Sequence, residues 1–317
     1  MGAAPLHVLA GALCDRHGRV LLAERPAGKH LAGMWEFPGG KREPGETPFE
    51  ALARELDEEL GIAVVDAAPL IRVPWRYHER GLLLDAWRVT QWRGEPRSRE
   101  GQGLRWCLPP QVDLALLAPA DRAILQALRL PPHYLITPAE VPTLERDAWF
   151  ERIARAIAAG ERLLQLRLPQ WPREAVRELA ADLLPVAREH GAQLLLNADI
   201  EGALSLGVGV HLTGAQLAAF DARPLPLRQI LGASCHDAAQ LAQALQLGAD
   251  FATLSPVLAT ASHPDAAPLG WACFEALAEA AAMPVYALGG MAPSQLAQAR
   301  AAGAQGVAGI RGFWGGP

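Results

Sequence analysis

Cysteine, positive charge and long apolar runs are all scarce in this sequence. Its four cysteines lie far apart and form no CxxC pair, so neither a zinc site nor a disulfide framework is expected. No apolar stretch reaches the ~18 residues of a membrane span, and the N-terminus lacks the basic start and apolar run of a signal peptide. These absences predict a cytoplasmic protein with reduced thiols and no membrane partner.

Charge and length narrow the class further. Asp and Glu outnumber Lys and Arg by 34 to 29, and the net charge of −5 argues against direct binding of duplex nucleic acid through its phosphates. A small nucleotide carried with Mg²⁺ remains compatible with that charge. At 317 residues, of which 50% are hydrophobic, the chain is long enough for two cores of ordinary size. Two domains are therefore expected.

The stretch from Thr47 to Leu60 predicts a helix with an acidic face. It contains no interior Gly or Pro beyond Pro48 in the first turn, and Gly61 follows as a C-terminal stop. Glu55, Glu58 and Glu59 are spaced i, i+3, i+4, so they share one face of this helix. Carboxylate oxygens in such a row suit Mg²⁺ that is bound together with substrate phosphates.

The loop before the helix favours this functional interpretation over a merely solvated acidic face. Residues 38–40 (PGG) and 44–45 (PG) form a tight turn that can bring the backbone close to a ligand. Glu46 and Arg54 are placed to brace that turn. The stretch thus predicts a phosphate-binding loop followed by a metal-binding helix.

From Gly40 to Gly61 the sequence matches every fixed position of the Nudix box, and residues 5–130 resemble the MutT branch of that family. The other matching segments are ERP at 24–26, WEFPGGK at 35–41, WRGEP at 92–96, REGQ at 99–102 and PA at 119–120. The resemblance implies an 8-oxo-dGTP diphosphatase that sanitises the nucleotide pool and so serves DNA repair and replication. It also implies Mg²⁺ as the cofactor, with Mn²⁺ as a substitute, which activates the attacking water to give nucleoside monophosphate and pyrophosphate.

The resemblance assigns roles to individual residues. The catalytic glutamates are Glu55, Glu58, Glu59 and, from a distant loop, Glu100, and together with Gly39 they form the expected metal site. The residues expected to bind the nucleotide are Arg25, His30, Phe37, Gly39, Gly40, Lys41, Arg80 and Asp121. Asp121 stands where the family has an Asn that reads the oxidised guanine. An Asp can accept a hydrogen bond there, or donate one when protonated in a buried site.

The remaining pattern of the first half predicts an α+β Nudix domain over residues 1–130, with a mixed sheet and helices. The expected elements are a β-hairpin of His7–Leu13 and Arg19–Ala23, strands at Leu82–Thr90 and Leu104–Leu108, and a loop and helix over residues 113–130. Pro131 and Pro132 end the helix and predict a linker. A second domain over residues 131–317 follows.

In this second half, short apolar runs alternate with stretches rich in Ala and Leu. The runs are His133–Thr137, Leu163–Leu168, Gln193–Asn197, Gly209–Leu212, Ile230–Ser234, Phe251–Ser255, Val285–Gly289 and Gly306–Ile310. Eight strands that alternate with helices predict a parallel (β/α)₈ TIM barrel. The chain stops soon after the eighth run, so a last helix that is short or absent is expected.

A barrel keeps its site at the C-terminal ends of its strands. The residues found there are Gln165, Arg167, Asn197, His211, Ser234, His236, Gly289, Gly290 and Arg311. With the segments YLIT (134–137), QLR (165–167), GVHL (209–212), GAD (248–250) and PVYALGGM (284–291), the chain from about residue 133 to 314 resembles the thiamin phosphate synthase and TenI family. The resemblance implies a phosphate site at strands seven and eight and a phosphorylated thiazole or similar ligand.

The barrel departs from that family at its metal ligands. Ala198 and Gln216 stand where the synthases carry the two aspartates that hold Mg²⁺ beside the pyrimidine diphosphate. Asp199 could compensate only if its loop shifts, so a degenerate synthase is expected. His236 aligns with the histidine that TenI-type thiazole tautomerases use for proton transfer.

The sequence leaves three alternatives open. The hydrolase could act on a pyrophosphate of the thiamin pathway, which the fusion of the two halves suggests. The chain could be bifunctional, with an active synthase or tautomerase as its second domain. The barrel could also be a non-catalytic module that senses a phosphorylated ligand and regulates or stabilises the hydrolase.

Overall fold

The computed structural model describes residues 5–77, 80–138, 145–260 and 267–314, with only the backbone of Tyr77 and Arg80. The chain separates into two compact units, Met1–Arg129 and Leu130–Pro317. None of the helices in the described ranges is both long and apolar enough to cross a membrane.

The first unit is an α+β fold, as predicted. Its strands are Leu6–Leu13 (β1), Val20–Glu24 (β2), Trp35–Glu36 (β3), Ala63–Tyr77 (β4), Arg80–Arg93 (β5) and Leu104–Cys107 (β6), and its helices are Pro48–Leu60 (α1) and Asp121–Arg129 (α2). β5 pairs in parallel with β1 and antiparallel with β4, whereas β2 pairs antiparallel with β3 and β6. The unit therefore contains two three-stranded sheets, one of them mixed.

The predicted hairpin of the first two strands is wrong. The turn after β1 does reverse the chain, but beyond one bridge between Cys14 and Val20 the two strands enter different sheets. The free edge of β1 binds the loop before α1 instead: Leu9 N donates to Gly40 O, and Gly11 N donates to Pro38 O, both at 2.8 Å. These bonds fix the predicted phosphate-binding loop to the edge strand β1.

Helix α1 forms where the sequence predicts it. Thr47 and Glu50 build a reciprocal capping box at its N-terminus, and Gly61 ends it in the left-handed conformation, with φ of 71°. Its buried face includes Leu52 and Leu56, which pack with residues of β1 and β5. The apolar face of α1 packs in the core. Its glutamates therefore lie on a different face of the helix, which points towards the loop at residues 38–42.

The second unit is a closed barrel of eight parallel strands, as predicted. The strands are His133–Ile136 (β7), Leu163–Leu166 (β8), Gln193–Asn197 (β9), Gly209–Leu212 (β10), Leu231–Cys235 (β11), Phe251–Leu254 (β12), Val285–Ala287 (β13) and Gly306–Gly309 (β14). Each strand pairs with the next one in the chain, and β14 pairs with β7 to close the barrel. The helices are Arg146–Ala158 (α3), Arg173–Glu189 (α4), Ile200–Leu206 (α5), Gly214–Ala219 (α6), Ala238–Leu247 (α7), Gly270–Ala280 (α8) and Leu296–Ala301 (α9). A short 3₁₀ turn at Arg311–Phe313 follows β14.

Alternate residues of the short strands fill two apolar layers. Tyr134, Leu163, Leu195, Phe251 and Tyr286 pack together inside the barrel. Their neighbours along the strands pack outward against the helices. Both faces of each strand are thus buried, which explains why the strands read as continuous apolar runs.

The two prolines predicted as a linker are bonded into the barrel. Pro131 O accepts a hydrogen bond from Tyr286 Oη, and Pro132 O accepts one from Val307 N at 3.0 Å. A side chain at Gly306 would lie 2.0 Å from Pro132 O, so this strand start requires glycine. The segment therefore forms part of the N-terminal rim of the barrel.

Candidate functional sites

Two glycines let the carboxylates of α1 approach the loop at residues 38–42. Glu59 Oε2 accepts a hydrogen bond from Gly39 N at 3.0 Å. At Gly39 φ is +149° and a Cβ would lie 2.2 Å from Leu9 O, so glycine is required. A Cβ at Gly40 would lie 2.1 Å from Glu55 Oε2. The loop backbone and two glutamates are therefore in direct contact.

Arg54 braces the loop, as the sequence predicts. Its Nε and Nη2 donate to the two carboxylate oxygens of Glu46 at 2.7 and 3.1 Å, and Nη2 also donates to Lys41 O at 3.0 Å. The hydrogen bonds from Arg54 lower the pKa of Glu46 to about 2. Nη1 donates to Glu55 Oε1 at 2.9 Å and to Glu58 Oε2 at 3.2 Å. One guanidinium thus orients three glutamates and the loop.

The loop that carries Glu100 caps the C-terminal end of α1. Arg97 N donates to Leu60 O, and Arg99 N donates to Glu59 O at 2.9 Å. These bonds satisfy carbonyls that the end of a helix leaves without a partner. They bring Glu100 from a distant part of the sequence to the acidic face, where its Oε2 lies 3.4 Å from Lys29 Nζ.

Glu59 lies among like charges. Burial raises its pKa to about 7, and the charges of Glu100, Glu36 and Glu55 add to this rise. The hydrogen bond from Gly39 opposes it but is too weak to cancel it. A bound cation would relieve this repulsion, and carboxylate oxygens are the donors that Mg²⁺ prefers.

The donor chemistry therefore fits Mg²⁺, and Glu55, Glu58, Glu59 and Glu100 are the residues that would hold it. Among the described residues, no three acidic, His or Cys side chains converge closely enough to coordinate one ion. The carboxylates of Glu55 and Glu58 are turned to the guanidinium of Arg54 instead.

A second group of predicted residues lies next to the loop. Arg25 Nε donates to His30 O at 2.7 Å, and Arg25 Nη1 forms an ion pair with Glu36. Phe37 N donates to Asp121 Oδ1 at 2.9 Å. Burial raises the pKa of Asp121 to about 7; the hydrogen bond from Phe37 opposes the rise, the charge of Glu36 adds to it, and Arg25 opposes it.

The structure shows only part of the surroundings of the other residues that are predicted to contact the nucleotide. The side chains of His30 and Lys41 are exposed, and Lys41 contributes its carbonyl oxygen to Arg54. The side chain of Arg80 lies outside the described part of the structure. Glu36 received no role from the sequence, although it stands inside the matching WEFPGGK segment. Its position between Trp35 and the buried Phe37 is the sequence feature that could have identified it as a site residue.

Inside the barrel, His211 is a buried hydrogen-bond bridge. Its Nδ1 lies 3.1 Å from Tyr134 Oη and its Nε2 lies 3.0 Å from Ser234 Oγ. Burial lowers the pKa of His211 to about 3, so the ring is neutral at physiological pH. Of the two predicted ligand residues, Ser234 is the one that is partly accessible.

The ends of the first three barrel strands are tied together. Gln165 Nε2 donates to Asn197 Oδ1 at 3.3 Å. Arg167 N donates to Thr137 Oγ1 at 2.7 Å, and that hydroxyl donates to Arg167 O at 3.0 Å. The predicted residues Gln165, Arg167 and Asn197 are thus neighbours at one side of the barrel mouth.

Gln216 of α6 and Ala198, the two residues at the expected positions of the synthase metal ligands, are joined by a hydrogen-bonded clasp. Gln216 Nε2 donates to Ala198 O at 2.9 Å, and its Oε1 accepts from Thr213 N at 3.3 Å. Asp199, the candidate replacement ligand, accepts from Arg177 Nε and Nη2 at 2.7 and 2.8 Å and caps α5. Its carboxylate is therefore already committed to a guanidinium.

A cavity of about 310 Å³ lies at the ends of β13 and β14. Its lining includes Gly289, Gly290, Gly309 and Arg311. Gly289 and Gly290 have φ of 97° and 69°, and a Cβ at either would meet the loop after β12 at 2.8 Å. The chain thus presents close backbone and one cation to the cavity, which is a surface suited to an anion.

His236 follows β11 at the barrel mouth. Its Nδ1 lies 2.7 Å from Ser255 O. Because a carbonyl oxygen only accepts, Nδ1 carries the proton in the neutral ring and Nε2 keeps a free lone pair. The ring is exposed at the barrel mouth.

Comparisons with known proteins identify a family for each half of the chain. Residues 133–313 match the family model for thiamine monophosphate synthase, and residues 9–127 match the model for the NUDIX domain. An 8-oxo-dGTP diphosphatase of Proteus vulgaris is 45% identical over 96 residues, which cover 30% of this chain and 86% of the relative. A CTP pyrophosphohydrolase of Escherichia coli is 41% identical over 119 residues, or 38% of this chain and 88% of the relative.

The barrel has similar support. A thiamine-phosphate synthase of Laribacter hongkongensis is 39% identical over 156 residues, which cover 48% of this chain and 74% of the relative. The family match of the second half spans more than half of the chain, and the relatives of the first half are covered over most of their length. The chain therefore belongs to the Nudix family through its first unit and to the thiamine monophosphate synthase family through its second.

Proposed function

We propose that the first unit is a Mg²⁺-dependent nucleoside triphosphate pyrophosphohydrolase that removes 8-oxo-dGTP from the nucleotide pool. The observation that carries the proposal is the contact of Glu59 with Gly39 N at 3.0 Å, beside a loop that Arg54 braces. It joins an acidic helix face to a backbone segment that can approach phosphates. The 45% identity to an 8-oxo-dGTP diphosphatase supports the choice of substrate.

Each part of the site has a task in this reaction. Mg²⁺, when bound, supplies positive charge to the phosphate chain and lowers the pKa of the attacking water. Arg54 keeps the loop and the glutamates in register through its five contacts. Arg25, oriented by Glu36 and His30 O, offers a guanidinium to a phosphate oxygen. Phe37 and Asp121 are the residues that would contact the nucleoside.

A substrate screen tests this proposal. The full-length protein is incubated with 8-oxo-dGTP, dGTP, CTP and thiamin diphosphate, and pyrophosphate or phosphate release is measured with Mg²⁺ and with a chelator. We expect Mg²⁺-dependent turnover with the highest kcat/KM for 8-oxo-dGTP. A clear preference for thiamin diphosphate would instead support hydrolysis of a thiamin-pathway pyrophosphate.

For the barrel, we propose a binding site for a phosphomonoester, such as a phosphorylated thiazole, without efficient synthase activity. The glycine-lined cavity with Arg311 supports the phosphate site, and the clasp of Gln216 on Ala198 supports the loss of the metal site. The free Nε2 of His236 favours thiazole tautomerisation as a second candidate activity. A ligand-induced rise of the melting temperature without any turnover would identify a non-catalytic module.

Gly40→Ala should impair hydrolysis without unfolding the protein. The three atoms nearest to the added Cβ all belong to the end of the Glu55 side chain, with Oε2 at 2.1 Å, so we expect Glu55 to move while the backbone keeps its path. A displacement of about 1 Å in a catalytic group can lower turnover by roughly 10²-fold. We expect a loss of that order in kcat, with a melting temperature close to that of the unmodified protein. Unchanged kcat would show that the position of Glu55 does not matter.

A further inference from the structure

Arg311, the cation in the lining of the cavity at β13 and β14, is the first residue of the 3₁₀ turn that follows β14. Its side chain is exposed. A long exposed side chain loses rotamer freedom when it binds a ligand, and this loss lowers its contribution to affinity. The contribution of Arg311 therefore depends on how firmly the turn is held in place.

Trp314 joins this turn to the first strand of the barrel. Trp314 N donates to Arg311 O at 3.3 Å and so closes the turn. Trp314 Nε1 donates to Ile136 O at 2.7 Å, and Ile136 is the last residue of β7. The backbone that carries Arg311 is thus tied to the C-terminal end of the neighbouring strand.

Arg152 of α3 binds Trp314 as well. Its Nη2 donates to Trp314 O at 2.8 Å. Its Cζ lies 5.6 Å from the ring centroid of Trp314 and 5.7 Å from that of Trp149, and the two indoles meet edge to face with their centroids 6.0 Å apart. A guanidinium over an indole face is attracted by the negative charge of that face. Since Trp149 is fully buried, this cluster anchors the turn to the barrel core.

The rest of the turn packs against the loop after β13 and the start of β7. A Cβ at Gly312 would lie 2.7 Å from Met291 O, so the two backbones are in close contact. The ring of Phe313 meets His133 edge to face, with centroids 5.3 Å apart. The turn is therefore held beside the loop that presents the glycine pair at residues 289–290 to the cavity.

We propose that Trp314, bound by Arg152, is a positioning residue that fixes Arg311 for the phosphate group of a ligand in this cavity. The inference rests on the proposed phosphomonoester site of the barrel. Within the described part of the chain, Trp314 is not among the residues that line the cavity. It acts through Arg311, because a backbone held in one conformation spares the ligand the cost of ordering it.

Two ligands that differ only in their phosphate test the inference. The full-length protein is titrated by calorimetry with a thiazole alcohol and with the phosphate ester of the same alcohol, and the ratio of the two Kd values measures what the phosphate contributes. A general loss of barrel packing weakens both ligands and cancels in this ratio. We expect the ester to bind more tightly. Arg311→Gln should lower the ratio by about tenfold or more, the size of one hydrogen bond to a charged group.

Trp314→Ala should lower the same ratio by about threefold to tenfold, the cost of immobilising one flexible side chain on binding, and should leave the affinity for the alcohol unchanged. Combined with Arg311→Gln it should cause no further loss, because Trp314 acts through Arg311. Arg152→Gln leaves both indoles in place but removes the guanidinium between them, and it should lower the ratio in the same direction even if Trp314→Ala does not fold.

Trp171→Ala is the matched control, because this half-buried indole lies between β8 and α4 and should leave the ratio unchanged. Equal weakening of both ligands in Trp314→Ala, or a loss that adds to that of Arg311→Gln, would show that Trp314 only stabilises the barrel and would overturn the inference. Failure of the proposed phosphate site looks different. The unmodified protein then shows no preference for the ester, Arg311→Gln changes nothing, and the inference falls with the site.

Discussion

Replacing Glu55 or Glu58 with Gln should lower hydrolysis by about 10²- to 10³-fold, the scale on which an enzyme loses a preorganised electrostatic contact. Gln preserves the volume of the side chain but removes the charge that would bind a cation. Both side chains end at Arg54 Nη1, at 2.9 and 3.2 Å, and the neutral amide oxygen can still accept from it. We therefore expect the fold to survive while turnover collapses and Mg²⁺ titrates more weakly.

Asp57→Asn is the matched control for this loss. Asp57 lies on the same helix and carries the same charge, but its side chain is 64% exposed and meets Arg99 rather than Arg54. Its turnover should stay within about twofold of that of the unmodified protein, because exposed charge pairs contribute little. Steady-state kinetics and metal titrations of the three variants provide the comparison. Near-normal turnover in both Gln variants would contradict the assignment of the acidic face.

The parts of the fold that the sequence predicts well are those with short-range signals. Helix α1 is bounded by a capping box at Thr47 and a left-handed Gly61, both within one turn of its ends. The strands of the barrel are buried on both faces, so each one appears as a short apolar run. The loop and the glutamates of the Nudix site could therefore be placed on their elements from the sequence alone.

The parts that could not be predicted depend on partners distant in sequence. A turn after β1 predicts a hairpin, but it does not reveal that the edge of β1 binds the loop at residues 38–42. Strand β4 escaped prediction because Pro69 and Pro74 interrupt it and its register against β5 shifts three times. The ion pairs of Glu36 with Arg25 and of Asp199 with Arg177 join different elements. No spacing rule encodes such pairs.

The barrel with its present sequence should couple the two precursors of thiamin phosphate no faster than background, and two substitutions should restore its metal dependence. Loss of the diphosphate leaving group requires its charge to be balanced, and neither Ala198 nor Gln216 carries a carboxylate. Ala198 has φ of 59°, a conformation that Asp adopts more readily than Ala. Ala198→Asp therefore suits the existing backbone. Gln216→Asp removes the bond to Ala198 O and adds the second charge.

We expect the Ala198→Asp, Gln216→Asp double variant to bind the pyrimidine diphosphate on the order of tenfold more tightly with Mg²⁺ than without, because affinity for a hard cation follows the number of charged ligands. The unmodified chain should show no such difference. Calorimetric titration and formation of thiamin phosphate by the full-length proteins provide the readouts.

Asp199→Asn distinguishes a barrel that has lost its metal site from one in which Asp199 replaces the missing metal ligands. Both oxygens of Asp199 are bound by Arg177, so this carboxylate would have to leave Arg177 to bind an ion, and we expect its substitution to leave ligand binding by the barrel unchanged apart from a loss of stability. Robust Mg²⁺-dependent synthesis by the unmodified chain that disappears in Asp199→Asn would show the opposite. The loop after β9 would then have to release Asp199 from Arg177 during the reaction, and the clasp of Gln216 would not close the metal site.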